Sequence, residues 1–339
     1  MNAEQPGVLE GAIPPGENTV LFGHDGAQSF LADAYRSGRM HHAILIEGPQ
    51  GIGKATLAYR FARHVLAHPD PANAPADIAD PDPDDPLTRQ IASGASHHLL
   101  HLARPVDEKT GKVKSVITVD EVRKAGKFFG QTSGTGNWRI AIIDPADDLN
   151  RNAANAILKI LEEPPKRSLF LVLSHTPGRL LPTIRSRCLS LRLEPLDAQD
   201  LNRALDHLGA PPGGSDAIIG LSEGSVARAL LLRNYGGADI AEAFVDIIER
   251  GSLSDREPIH KLAEILSARD RDVAYQFFTE LVIDRVRAMA REAGAANDLA
   301  EANRLSRLSV ELAEHFANAA AYNLDRKQTV LHVFSLIFR

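Results

Sequence analysis

The chain has 339 residues, 44% of them hydrophobic and 24% charged, enough for two or three compact units at about 100–200 residues per domain. A formal net charge of -6 argues against a protein that grips DNA strongly by itself, a task that requires a basic face. There is no run of roughly 18 apolar residues, and the opening MNAEQPGVLEGAIPPGENTV lacks the basic start and apolar centre of a secretory signal. One cysteine, Cys188, leaves no disulfide framework and no cysteine-held zinc. Together these features predict a soluble, cytoplasmic protein with no membrane partner.

In chain order, residues 43–47, AILIE, form a short apolar run that ends at a glycine loop. The TLAYRFARHVLA that follows carries Leu57, Phe61, Val65 and Leu66 at helical spacing. The predicted order is strand, loop, helix. Residues 69–86, PDPANAPADIADPDPDDP, are dense in proline and aspartate, which breaks helices and buries no core, so they are predicted to be a mobile surface loop. Asp77, Asp80, Asp82, Asp84 and Asp85 within it lack the ligand spacing of a calcium loop and read as a solvated tether.

In SVITVDEVRKAGKFF a strand-like VITV precedes Asp120 as N-cap and a helix that buries Val122 and the pair Phe128 and Phe129. WRIAIIDPADDL is a second buried strand, apolar from Ile140 to Ile143 and ending in Asp144. Residues 150–163, NRNAANAILKILEE, place Ala154, Ile157, Leu158 and Leu161 on one helical face, and Pro164 and Pro165 stop the helix. SLFLVLSHT is a third buried strand. Apolar strand centres alternating with helices predict an α/β domain with a mostly parallel sheet covered on both faces.

After about residue 196 the pattern is helical only. AQDLNRALDHLG and GSVARALLLRN read as short helices separated by the glycine-rich stretch 209–224, and NYGG at 234–237 reads as a hinge. Beyond it, Phe277, Phe278, Leu281, Val282, Val286 and Met289 form a helical packing stripe, and two further helices follow. The predicted parts are an α/β domain over 1–196, a small helical domain over 197–236 and an all-α bundle over 237–339.

Three stretches carry chemistry. In GPQGIGK the spacing of Gly48, Gly53 and Lys54, with Gly51 between, fits a phosphate-binding loop placed between a strand and a helix. Such loops aim backbone N–H groups and a helix N-terminus at phosphate oxygens, while the lysine reaches the outer phosphates. Ala55 stands where a serine or threonine would ligate Mg²⁺, and Thr56, turned about 100° further round the helix, points elsewhere. Two readings stand side by side: a nucleotide loop, and a glycine turn that packs a helix on a sheet.

The strand end IIDPADDL supplies Asp144 as a Mg²⁺-organising carboxylate, but its neighbour Pro145 has no acid-base group to polarise water. Asp147 and Asp148 are predicted to open the following helix rather than to serve as a displaced base. In LLPTIRSRCLSLRL, Arg185 and Arg187 follow a strand and a turn, where a guanidinium can project from the domain edge or form a surface ion pair.

HHAILIEGPQGIGKATLA, IIDPADDLNRNAANAILKILEEPP and LPTIRSRC together resemble the clamp-loader branch of the AAA+ ATPases, and within it the delta-prime subunits of bacterial DNA polymerase III. LFGHDGAQSFLADAYRSGRMHHA and ITVDEVR are similar to that family too, so the resemblance covers nearly the whole chain. It implies an AAA+ domain, a small helical lid and an all-α collar. The implied partners are gamma/tau-like motor subunits and a delta-like subunit in a five-subunit ring, with the sliding clamp met indirectly and primed DNA met through the assembly.

Position by position, the resemblance implies that Arg187 is an arginine finger acting in trans on an adjacent motor subunit's ATP. It makes Lys54 and Asp144 retained nucleotide-site positions, Ser174, His175 and Thr176 the place of the polar sensor, and Arg228 the second sensor. Pro145 departs from the motor pattern and agrees with a non-hydrolysing stator. ATP or ADP held without hydrolysis stays open as a cofactor. Zinc is not expected, since the acidic segment 69–86 stands where many relatives carry four cysteines, and His97, His98 and His101 read as exposed or packed strand residues. Arg123, Lys124 and Lys127 are the candidates for contact with DNA backbone, each also readable as a solvated helix charge. The alternative reading is an active motor ATPase of the same loader, and a small-metabolite kinase is weaker because no lid or acceptor pocket is evident in the helical half.

Overall fold

The computed structural model describes residues 8–107, 111, 113–130, 136–209, 216–251 and 256–339. It divides into two compact units, Met1–Arg228 and Ala229–Arg339, where the sequence reads three parts. The first unit contains α1 (Asp25–Arg36), β1 (Ala43–Glu47), α2 (Lys54–Ala67), α3 (Pro86–Ala92), β2 (Leu99–Leu102), α4 (Val119–Gly130), β3 (Arg139–Ile143), α5 (Arg151–Glu162), β4 (Ser168–Ser174), α6 (Pro182–Arg185), β5 (Leu189–Arg192), α7 (Ala198–His207) and α8 (Asp216–Ser222). Helix α9 (Val226–Asn234) carries the boundary between the units.

The five strands form one parallel sheet in the order β2-β3-β4-β1-β5. Alternation along each strand sends its side chains to two cores. Ile44, Ile46, Ile140, Ile142, Leu169 and Leu171 pack with Leu57 and Phe61 of α2 and Tyr35 of α1. Ala43, Leu45, Ala141, Ile143, Phe170 and Val172 pack with Val122 and Phe129 of α4 and Ile157 and Leu161 of α5. The three central strands are apolar at their centres because both of their faces are covered.

Four local expectations are corrected. VITV is not a strand: Ile117 makes only an isolated bridge to Leu149. Helix α4 then begins at Val119, so Asp120 lies in its first turn and is not the cap. Asp147 and Asp148 do not open α5 but form a separate 3-10 turn, Ala146–Asp148. Leu149 and Asn150 are extended, and the Asn150 side chain caps α5 by accepting from the Ala153 N–H at 2.9 Å.

The fourth correction concerns 69–86, predicted to bury no core. Ala74 and Ile78 are buried, and Arg60 pairs with Asp80 at 2.7 Å while donating to the Ile78 carbonyl. Asp85 caps α3 through the Thr88 N–H. The two apolar anchors and the buried guanidinium tie this acidic segment to α2, a long-range pairing that its composition does not reveal. Of the glycine-rich separator read over 209–224, residues 210–215 lie outside the described residues, and the remainder contains α8.

The second unit is helical, with α10 (Gly237–Arg250), α11 (Glu257–Ser267), α12 (Asp272–Ala295), α13 (Leu299–Ala321) and α14 (Arg326–Ile337). The helices break at NYGG, where Gly236 has φ 70°. Five of the six stripe residues on α12 are buried and Met289 is partly so. Phe244, Phe278 and Phe334 meet at the centre with ring centroids 5.9, 5.9 and 6.3 Å apart.

Candidate functional site

Parallel strands of an α/β sheet present their carboxyl ends along one edge, where loops converge to form sites. Here β1 runs into the glycine loop, β3 into Asp144 and β4 into Ser174, His175 and Thr176. The loop adopts a phosphate-loop shape. Gly51 has φ 76° and Gly53 φ 105°, and a Cβ at Gly51 would lie 2.4 Å from that of Ala227, so both backbone conformation and close approach require glycine.

The carbonyl side of the loop is fully hydrogen-bonded. Lys54 Nζ donates to the Gly48 carbonyl at 2.7 Å and to that of Pro49 at 2.5 Å. Ser225 Oγ donates to Gln50 O at 2.8 Å, and the Val226 N–H to Gly51 O at 3.0 Å. His24 Nε2 meets Ile52 O at 2.7 Å, and Leu57 N–H reaches Gly53 O at 2.9 Å. With its carbonyls held by protein partners, the loop keeps its outline without help from a ligand. Lys54 is buried, and desolvation, opposed by the charges of Asp144 and Asp147, lowers its pKa to about 8.

Around Lys54 lie Ala55, Thr56, Asp144 and Pro145. Ala55, in the first turn of α2, offers no side-chain oxygen and packs against the core. Thr56 is buried, as its rotation round the helix predicts. Asp144 is held at the strand end by its N–H to Leu102 O, with His101 Nε2 at 3.7 Å from its carboxylate. Pro145 follows it.

Asp147 is fully occupied: its carboxylate accepts from Ser174 Oγ, the His175 and Thr176 N–H groups and Thr176 Oγ1, at 2.7–3.0 Å. Burial pushes this carboxyl up, yet those four hydrogen bonds outweigh it and hold the pKa below its ordinary value. Thr176, which with Ser174 and His175 covers the expected sensor place, clamps Asp147 through both its N–H and its hydroxyl. Asp148 is raised by burial against the opposing charge of Arg104, 3.1 Å away. Burial, reinforced by Lys54, lowers His175 to about 4 and keeps it neutral near pH 7. A methyl group thus stands at position 55, and the Asp147 carboxylate is taken up as a structural tie.

The other predicted residues lie apart from this cluster or at its margin. Arg228, at the start of α9, pairs with Glu223 at 3.3 Å, and its N–H donates to Ser225 Oγ, the hydroxyl that also holds Gln50. Arg187 follows α6, whose Ile184 is buried, and is about one third exposed. Its Nη2 lies 2.7 Å from Glu162 Oε1, and Nη1 donates to the Thr183 carbonyl at 3.0 Å. Arg123 and Lys124 each pair within α4, with Asp120 and Glu121 at 2.5 Å. Lys127 is exposed.

Sequence reasoning missed Arg104 and Ser225 and did not connect His101 with Asp144. Register supplies the last: β2 pairs with β3 so that His101 faces Ile142 across the ladder, one step from the strand end. Among the described residues no group of three or more His, Cys, Asp or Glu side chains could hold a metal ion. No helix there is long and apolar enough to cross a membrane.

A model of the family described as DNA polymerase III, delta subunit, matches residues 23–197, just over half of the chain. DNA polymerase III subunit delta' of Pseudomonas aeruginosa is 34% identical over 58% of this chain and 56% of its own length. Subunit tau of Escherichia coli is 26% identical over 75% of this chain and 38% of its own length. The chain thus spans just over half the length of the delta' relative and less than two fifths of the tau relative. A solved structure of a DNA polymerase III gamma subunit-related protein from Thermotoga maritima aligns over 91% of this chain and 98% of that one, at 17% identity and a TM-score of 0.42. The chain belongs to the family described as DNA polymerase III, delta subunit, and is similar within it to subunits of the delta' type.

Proposed function

We propose that this chain is a non-hydrolysing clamp-loader subunit of DNA replication. It stands in a five-subunit ring with gamma/tau-like motor subunits and a delta-like subunit in the cytoplasm. There it supplies Arg187 to the nucleotide of a neighbouring motor subunit while the assembly places a sliding clamp on primed DNA. The observation that carries this reading is the contrast between two places in one domain. At the phosphate loop, Ala55, Pro145 and the fully bonded Asp147 leave neither a Mg²⁺ hydroxyl ligand nor a water-polarising base. At the edge, Arg187 keeps a guanidinium one third exposed, the group that stabilises charge in phosphoryl transfer.

A second reading, an active motor ATPase, is favoured by one fact: the tau relative matches a larger share of the chain than the delta' relative does. ATP turnover by the purified chain separates the two. The proposed function expects no turnover above background from the isolated protein, and formation of a larger complex on mixing with motor and delta-like subunits, read as mass by light scattering. Turnover by the isolated chain that Lys54→Ala abolishes would establish the motor reading.

A further inference from the structure

We propose that Glu162 is a positioning residue for Arg187, holding the guanidinium at the angle from which it meets a neighbouring subunit's nucleotide. The inference rests on the reading of Arg187 as a finger acting in trans, and it adds a residue that the family resemblance does not assign.

Both ends of the pair are built on fixed backbone. Helix α5 ends at Glu162, with Pro164 and Pro165 immediately beyond, so the chain cannot continue the helix and shift the carboxylate by a turn. The last turn is anchored by buried Leu161, whose carbonyl meets His42 Nε2 at 3.1 Å near the start of β1. On the other side, Ile184 is buried, and the Arg187 N–H donates to the Ile184 carbonyl at 3.1 Å, fixing the turn that carries the arginine. The side chains meet between these two anchors.

The guanidinium is held at two points, by the Glu162 carboxylate on Nη2 and the Thr183 carbonyl on Nη1. An ion pair on one nitrogen and a hydrogen bond on another restrict the rotation of a rigid fork that carries five N–H donors, and further donors remain for an incoming phosphate. A lone exposed arginine distributes itself over many rotamers, and fixing it in one costs rotamer entropy at the moment of reaction. Here that ordering is present beforehand. The pair is 35% and 48% exposed, so solvent screens it: strong enough to bias orientation, it is too weak to compete with a multiply charged phosphate. Glu163, the neighbouring carboxylate, is exposed, and no ion pair to Arg187 places it in this role.

The test uses the reconstituted loader with its other motor sites silenced, so that ATP turnover reads the site beside this chain. Complex mass is checked for every variant. Because an exposed ion pair biases orientation only modestly, Glu162→Ala is expected to lower kcat about two- to fivefold with KM for ATP unchanged. Glu162→Gln, which keeps the shape and an acceptor oxygen but loses the charge, is expected to recover only part of that loss. In the Arg187→Ala background, Glu162→Ala is expected to change nothing further. Wild-type kcat for Glu162→Ala beside a slow Arg187→Ala overturns the positioning role and leaves the finger reading standing. A faster Glu162→Ala, or losses that multiply in the double variant, also overturns it. Wild-type kcat for Arg187→Ala removes the finger reading itself, and the inference falls with it.

Discussion

Lys54 Nζ lies 2.7 Å from the Gly48 carbonyl oxygen and 2.5 Å from that of Pro49, so the lysine of the phosphate loop closes the loop on itself. Burial lowers its pKa from 10.5 to about 8. Between these values the unfolded chain binds the proton and the folded chain does not, so stability rises with pH across that window. Relative to Lys54→Met, the wild type should gain about 2 kcal/mol between about pH 7 and about pH 9.5. Denaturant unfolding of both proteins at the two pH values checks it.

Gly51 and Gly94 share nearly the same backbone angle, φ 76° and 70°, but only Gly51 has neighbours, with Ala227 and Ser225 atoms at 2.4 and 2.5 Å from a built Cβ. Gly94→Ala should cost about 1–2 kcal/mol from the left-handed conformation alone. Gly51→Ala should cost roughly 3–5 kcal/mol, because overpacking is added to strain. The contrast in unfolding midpoints measures how tightly the start of α9 seats on the loop.

Asp147 accepts four hydrogen bonds and holds the end of β4 against the turn after β3. Asp147→Asn keeps the shape but replaces an acceptor oxygen with an N–H₂ that faces donors. A loss of roughly 2–3 kcal/mol is expected, with no gain or loss of nucleotide turnover in the isolated chain. Thermal unfolding and an ATPase assay of the variant check both halves.

His64 is buried beside Tyr35 and Phe61, and desolvation, reinforced by His68, lowers its pKa from 6.5 to about 4. As pH falls between those values the unfolded chain takes up a proton that the folded chain refuses, so stability is lost. Relative to His64→Leu, the wild type should lose about 2 kcal/mol between about pH 7 and about pH 5. Parallel acid titrations of the two proteins by circular dichroism read the difference.

Much of the fold is legible because β1, β3 and β4 are buried on both faces and read as apolar runs, with helices of clear period between them. The edge strands were harder. β5 is mostly exposed, so LSLR carries no strong apolar signal, and VITV has β-branched residues in an extended segment that finds no ladder partner. Propensity without a partner does not make a strand. At the site, the loop, Asp144 and Arg187 were visible as motifs. Their partners were not: Ser225 on Gln50, Thr176 on Asp147 and Glu162 on Arg187 join residues distant in sequence, and only the folded chain brings them together.

In the proposed function, this chain contributes through its edge arginine and not through its phosphate loop. ATP turnover by the reconstituted loader, with the other motor sites silenced and this chain carrying either Arg187→Ala or Lys54→Ala, tests that division directly. Arg187→Ala is expected to slow the adjoining site by about a thousandfold or more, while Lys54→Ala leaves its rate unchanged. A loader slowed by Lys54→Ala and indifferent to Arg187→Ala would contradict it.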